Sequence, residues 1–157
     1  MQFSQGQLRD TLGISVETFR HWKRVLPPFA DRKKYTPRFS VGDLLAAGIL
    51  QRPTDECGIQ PRYLPEISTA IAEICNANAW AMLEGKALIV DIPERACRLV
   101  EDRRDHAAHN IVVVCPLNPV LAAVRAGLAR IQPSGARDEF LFPPTAVGDP
   151  RARRRRA

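Results

Sequence analysis

The side chains best suited to chemistry lie in the stretch SVETFRHWKR, residues 15–24. Apolar residues recur here at helical spacing, so a helix would bury one side and expose the other. Those apolar positions are Val16, Phe19, Trp22 and Leu26. The exposed side would carry Ser15, Glu17, Thr18, Arg20, His21, Lys23 and Arg24. Such groups can hydrogen-bond to base edges and phosphates, and the alternative is an ordinary solvated helix face.

A basic segment, DRKKYTPR, follows after one short connection. Its cations and its aromatic residue are Arg32, Lys33, Lys34, Arg38 and Tyr35. The segment contains a proline and cannot extend the helix, so a small hairpin is expected. A basic hairpin beside an exposed helix is the plan of a winged helix-turn-helix, in which the wing contacts phosphates or the minor groove.

Capping signals predict how these elements are held. Ser4 can begin a helix that Gly13 ends as a residue with positive φ, and Ser15 can begin the next. The connection between them, Gly13 to Ser15, has the length typical of a helix-turn-helix. Pro27 and Pro28 then stop the second helix.

Two further helices are predicted before residue 84. Ser40 opens the third in a capping-box-like sequence, and Pro53 is expected to close it, which makes 54–59 a connection. Its predicted inward residues are Leu44, Leu45, Ile49 and Leu50. Pro61 is placed in the first turn of the fourth helix. An apolar stripe runs along that helix at Leu64, Ile67, Ile71 and Ile74, with Asn78 at the next step. The stripe favours packing within the same domain, and a dimer seam is the alternative.

Sequence character changes near Glu84. Apolar β-branched runs at 86–92 and 110–117, with an alternating run at 96–102, predict three strands, and 119–131 predicts a closing helix. The expected fold class is α+β: an N-terminal winged helix-turn-helix followed by a small antiparallel sheet plus helix. The expected domains are 1–83 for DNA binding, 84–132 for oligomerisation or a partner or effector, and 133–157 as a flexible tail rich in proline and arginine.

Composition limits the class of protein. The net charge is +6, and five of the 23 cations lie in the last seven residues, as either a DNA-binding arm or a solubilising terminus. The four widely spaced cysteines at 57, 75, 97 and 115 are expected to be reduced core thiols, with a redox or metal sensor as the minority alternative. With no leader and no membrane-length apolar run, the sequence predicts a cytoplasmic, nucleoid-associated protein.

An enzyme is the least favoured class. His106 and His109 lie three residues apart in a polar loop without a third ligand at metal-site spacing. No glycine-rich phosphate loop or nucleophile elbow occurs. We therefore expect no catalytic residues, no cofactor and no metal.

The residues from Phe3 to Ile67 resemble the DNA-binding domain of MerR-type regulators and their relatives, phage excisionases and small terminase subunits. QGQLRDTLGISVETFRHWKR is similar to the opening of that family, and TPRFSVGDL is similar to the end of its wing. The resemblance implies that Gly13, Ile14 and Ser15 form the turn. It also implies that Arg20 grips DNA.

Three functions follow as hypotheses. The first is a sequence-specific transcriptional regulator, most simply a homodimer on double-stranded DNA. The second is a DNA-binding subunit of a phage or mobile-element machine, with residues 84–132 binding a protein partner. The third is a protein-interaction module without DNA binding. No membrane partner is expected.

Overall fold

The computed structural model describes residues 1–30, 38–101 and 111–131. The chain forms helices and two small antiparallel sheets, which confirms the α+β fold class. The elements are β1 (Gln2–Phe3), α1 (Gln5–Leu12), α2 (Val16–Val25), β2 (Phe39–Ser40), α3 (Val41–Cys57), α4 (Pro65–Ala77), α5 (Trp80–Leu83), β3 (Ala87–Asp91), β4 (Ala96–Val100), β5 (Val112–Pro116) and α6 (Leu117–Ile131). Short 3-10 turns lie at Pro27–Phe29 and Pro61–Tyr63.

Helix α1 begins and ends where its caps predict. The Ser4 hydroxyl accepts from the Gln7 backbone N–H at 3.2 Å, and the Gln7 side chain accepts from the Ser4 N–H at 2.9 Å. Gly13 ends the helix with φ of 69°, a conformation that favours glycine. Both predictions are confirmed, so local capping chemistry determines this helix.

Helix α2 follows after the predicted three-residue turn. The Ser15 hydroxyl accepts from the Thr18 N–H at 3.0 Å, and Phe19, Trp22 and Leu26 are buried as expected. Val16 was expected to be buried with them, and this prediction is wrong, because Val16 is 37% exposed. Ile14, in the turn before the helix, is buried instead, so the turn itself contributes an apolar residue to the core.

Helix α3 corrects the prediction that Pro53 closes it. The helix continues through Pro53 to Cys57, and it ends at Gly58, which has φ of 67°. Proline lacks the N–H that would bond to the carbonyl of Ile49, and its ring crowds that carbonyl. The helix is already anchored by its buried residues up to Leu50, and it continues for one further turn after Pro53. Most of the expected connection at 54–59 is therefore helical.

Helix α4 also starts later than predicted. Pro61 begins a 3-10 turn, and Pro65 occupies the first turn of the helix. The apolar stripe of α4 packs mainly on α3 within the same chain. Asn78 lies after the helix, and its side-chain amide donates to the Ile74 carbonyl at 2.8 Å. Here Asn78 serves to satisfy the helix end.

The three predicted strands form one antiparallel sheet in the order β4-β3-β5. Leu88 in the central strand lies opposite Leu99 in β4 and Cys115 in β5. That face of the sheet joins the main core beneath the helices, while Ala87, Ile89 and Val100 form a second apolar cluster. A strand buried on both faces explains the unbroken apolar run at 87–90.

Helix α6 joins the sheet to the first half of the chain. It packs on α1 and α3, and its residues Val120, Val124 and Leu128 belong to the same core as Leu8 and Phe19. The approach to α1 is close enough that a Cβ atom on Gly127 would overlap the Thr11 carbonyl oxygen. Glycine at 127 thus permits the contact.

Candidate nucleic-acid interface

The N-terminal end of α2 presents small polar side chains to solvent. The Ser15 and Thr18 hydroxyl oxygens lie 2.9 Å apart, and both residues are exposed together with Glu17. The Ser15 hydroxyl also caps the helix. The first turn therefore combines the positive end of a helix dipole with hydroxyl and carboxylate groups open to a ligand.

Two arginines continue the exposed face. Arg20 and Arg24 are exposed, and neither makes a hydrogen bond or an ion pair with any residue the structure describes. Together with Glu17 and Lys23 they line an open depression on the outer side of α2. His21 and Lys23 are half-buried. The structure thus brings most predicted contact residues of α2 onto one accessible face.

An aromatic cluster fixes the neighbouring segment to α2. The ring centroids of Phe29 and Phe39 lie 6.0 and 5.8 Å from that of Phe19, and the Trp22 and Phe29 rings are 5.7 Å apart. Phe29 precedes the basic segment and Phe39 follows it. Because both anchors pack on the inner side of α2, the chain leaves and returns beside this helix.

The predicted wing residues fall into two groups. Arg32, Lys33, Lys34 and Tyr35 lie outside the described residues. Arg38 is exposed, and its Nη1 atom donates to Gln2 Oε1 at 3.4 Å. It precedes β2, which pairs with β1 so that Phe3 lies opposite Phe39. Strand β1 was not predicted, since two residues carry no periodic signal.

A polar cluster around the buried Asp43 holds the start of α3, which follows directly after β2. Asp43 is 4% exposed, and its carboxylate accepts from the Ser40 N–H at 2.9 Å and from Asn76 Nδ2 at 3.0 Å. The Ser40 hydroxyl donates to Asn76 Oδ1 at 2.6 Å. The capping sequence revealed Ser40 and Asp43. Asn76 gave no local signal, because it lies 33 residues further on in α4.

The cysteines differ in exposure. Cys75 and Cys115 are buried and Cys97 is half-buried, as expected of core thiols, but Cys57 is exposed and corrects the prediction. Burial raises the pKa of Cys75 and of Cys97 to about 12 and also raises that of Cys115. Within residues 1–30, 38–101 and 111–131 no three His, Cys, Asp or Glu side chains are grouped to hold a metal ion.

Among the described parts of the chain, no helix combines the length and apolarity needed to span a bilayer. No protein-family model matches the sequence, and no curated protein shows significant similarity to it.

Proposed function

We propose that this protein binds double-stranded DNA as a winged helix-turn-helix transcriptional regulator of MerR-like type. The observation that carries the proposal is the exposed face of α2, where Arg20 and Arg24 stand without partners among the described residues. Helix α2 follows α1 through a three-residue turn, which is the connection found in helices that enter the major groove.

The proposed roles follow from side-chain chemistry. Arg20 and Arg24 donate to guanine or to phosphate oxygens, and Glu17 can accept from the amino group of cytosine. The Ser15 and Thr18 hydroxyls, at the positive end of the helix, fit a phosphate. Glu17 repels nonspecific phosphate contacts, so it adds discrimination at the cost of affinity.

The wing belongs to the same proposal. The segment between Phe29 and Phe39 carries Arg32, Lys33, Lys34, Tyr35 and Arg38, and both of its ends pack on α2. Cations attached beside a major-groove helix reach the adjacent backbone or minor groove.

A homodimer completes the proposal, because one helix of this size contacts only a short half-site. Two copies related by a twofold axis would read an inverted repeat with half-sites roughly 34 Å apart or a multiple of that distance. The repeat then provides the specificity that one copy lacks.

Selection of bound sequences from a random duplex pool tests this function, with salt dependence measured on the selected site. We expect an enriched inverted repeat and an affinity that falls steeply with salt. Enrichment only in the presence of a recombinase or packaging protein would instead support a phage or mobile-element machine. No enrichment and no salt-dependent binding would leave the protein-interaction hypothesis and contradict the proposal.

A further inference from the structure

An apolar cavity lies between the last two turns of α3, helix α4 and the three-stranded sheet. Its volume is about 130 Å³. The floor is formed by buried side chains, among them Ile49, Leu50, Leu64, Ile67, Ile71 and Val90. A lining of this kind excludes ordered water, because it offers too few polar partners. The cavity is therefore suited to an apolar group.

The mouth of the cavity carries charge. Arg52 Nη1 and Glu56 Oε1 lie 3.2 Å apart, with Ile59 beside them on the rim. The Arg52 side chain is 34% exposed and that of Glu56 is 62% exposed, so the guanidinium lies deeper. The contact with Glu56 is the only hydrogen bond that Arg52 makes with the described residues. Its other donors remain open to a ligand.

The pKa of Cys115, in the floor of the cavity, is affected more strongly by Arg52 than by Glu56. Burial raises the pKa of the Cys115 thiol, which lines the cavity. Arg52 lowers that pKa, and its effect is larger than the opposite effect of Glu56. The two charges together thus make the cavity favour an anion over a cation.

We propose that this cavity binds a small organic monocarboxylate, with an apolar body of about the size of a benzene ring and its carboxylate on Arg52. This small-molecule site goes beyond the proposed DNA binding and does not depend on it. An engineered apolar cavity of about 150 Å³ takes up benzene, so a volume of about 130 Å³ suits one ring or a short branched chain. An arginine fork matches a carboxylate in shape and charge.

Titration of the full chain with benzoate, followed by the shifts of backbone amide resonances, tests the site. Benzamide is the matched neutral probe, because it has nearly the same shape without the charge. We expect saturable shifts at the cavity residues and binding of benzoate about tenfold tighter than that of benzamide, as a charge-assisted hydrogen bond provides. Equal affinity for the two probes, or no saturation at millimolar benzoate, would overturn the proposal.

Two variants locate the binding. Arg52→Gln should bring benzoate down to the affinity of benzamide, whereas Arg62→Gln, at an exposed residue outside the cavity, should bind as the parent does. Ile59→Trp should block the mouth, and circular dichroism and thermal unfolding of this variant show that the fold is retained. Unchanged benzoate binding in folded Ile59→Trp, or in Arg52→Gln, would place the ligand elsewhere and refute the assignment.

Discussion

The arginines of α2 and α6 differ in what they contact. In α6, Arg125 pairs with Glu84 and lies over the Trp80 ring at 5.3 Å, and Arg130 Nη2 donates to the Thr11 carbonyl at 3.3 Å. In α2, Arg20 and Arg24 contact no acceptor among the described residues. The cations of the two helices therefore differ in whether the described residues hold them.

This difference shows why net charge is a poor guide to a binding surface. Arginines already bonded within the chain must lose those contacts before they meet a phosphate, whereas free arginines lose only solvent. The apolar side of α2 is buried through Phe19 and Trp22, while Arg20 and Arg24 on the polar side bond to none of the described residues. We therefore propose that α2 contacts DNA, whereas Arg125 and Arg130 hold α6 to the rest of the chain.

The largest expected change in the free energy of unfolding is at the contact between α6 and α1. Gly127→Ala places a methyl group against the Thr11 carbonyl and must separate α6 from α1. We expect the free energy of unfolding to fall by about 3 kcal/mol in denaturant titrations. Gly6→Ala is the matched control, because its Cβ would only meet Ser4 Oγ at 3.8 Å. That control should be neutral or stabilising, and equal losses in both variants would disprove the tight contact.

A somewhat smaller loss is expected where α3 begins. Asp43→Ala removes the acceptor for the Ser40 N–H and for Asn76 Nδ2, two hydrogen bonds that lie partly buried at the start of α3. The free energy of unfolding should decrease by about 2 kcal/mol, measured by chemical denaturation. Asp10→Ala, at an exposed position of α1, should change it little. If the two variants were equally stable, the polar cluster would not hold this junction.

Alkaline pH should destabilise the fold through the buried thiol of Cys75 in α4. The folded pKa of Cys75 is raised to about 12, so its thiol stabilises the fold fully below the unfolded value near 9, and that contribution is lost as pH rises toward 12. At pH 10 we expect a loss of about 1 kcal/mol from this thiol relative to pH 8. Cys75→Ala should flatten the unfolding profile, and Cys57→Ala, at an exposed site, should not. Identical profiles in both would contradict the assignment.

The smallest effect is expected for a surface arginine of α6. Arg125→Ala breaks a half-exposed ion pair and a ring contact, so thermal unfolding should report at most about 1 kcal/mol. DNA affinity should remain that of the parent. A loss of affinity in this variant at unchanged stability would extend the interface to α6 and break the comparison.

Sequence patterns were most informative where the structure is local. Ser4, Gly13 and Ser15 fixed the ends of α1 and the start of α2, because a cap needs only residues three or four positions away. The burial of Phe19, Trp22 and Leu26 and the three strands were also predictable from periodicity, whereas the predicted burial of Val16 was wrong. The prediction that Pro53 ends α3 was wrong, since a helix continues when packing outweighs one missing hydrogen bond.

Long-range features could not be predicted. Asn76 reaches Asp43 only because α4 packs on α3. The order of the strands depends on which strand pairs with each edge of β3, and no local pattern determines that. The cavity beside Arg52 could not be predicted either, because it forms where α3, α4 and the sheet meet. For the candidate interface, the sequence indicated the residues of α2, while the structure was needed to show that Arg20 and Arg24 bond to none of the described residues.

The most direct measurement compares two double variants in DNA binding. Fluorescence anisotropy with a labelled duplex, over a series of salt concentrations, is applied to Arg20→Ala/Arg24→Ala and to Arg125→Ala/Arg130→Ala. We predict that the α2 pair lowers affinity roughly 100-fold and reduces the salt slope by about 1 to 2, at unchanged stability, while the α6 pair leaves both at the parental value. Equal affinities and slopes for the two double variants would contradict the assignment of α2 to DNA.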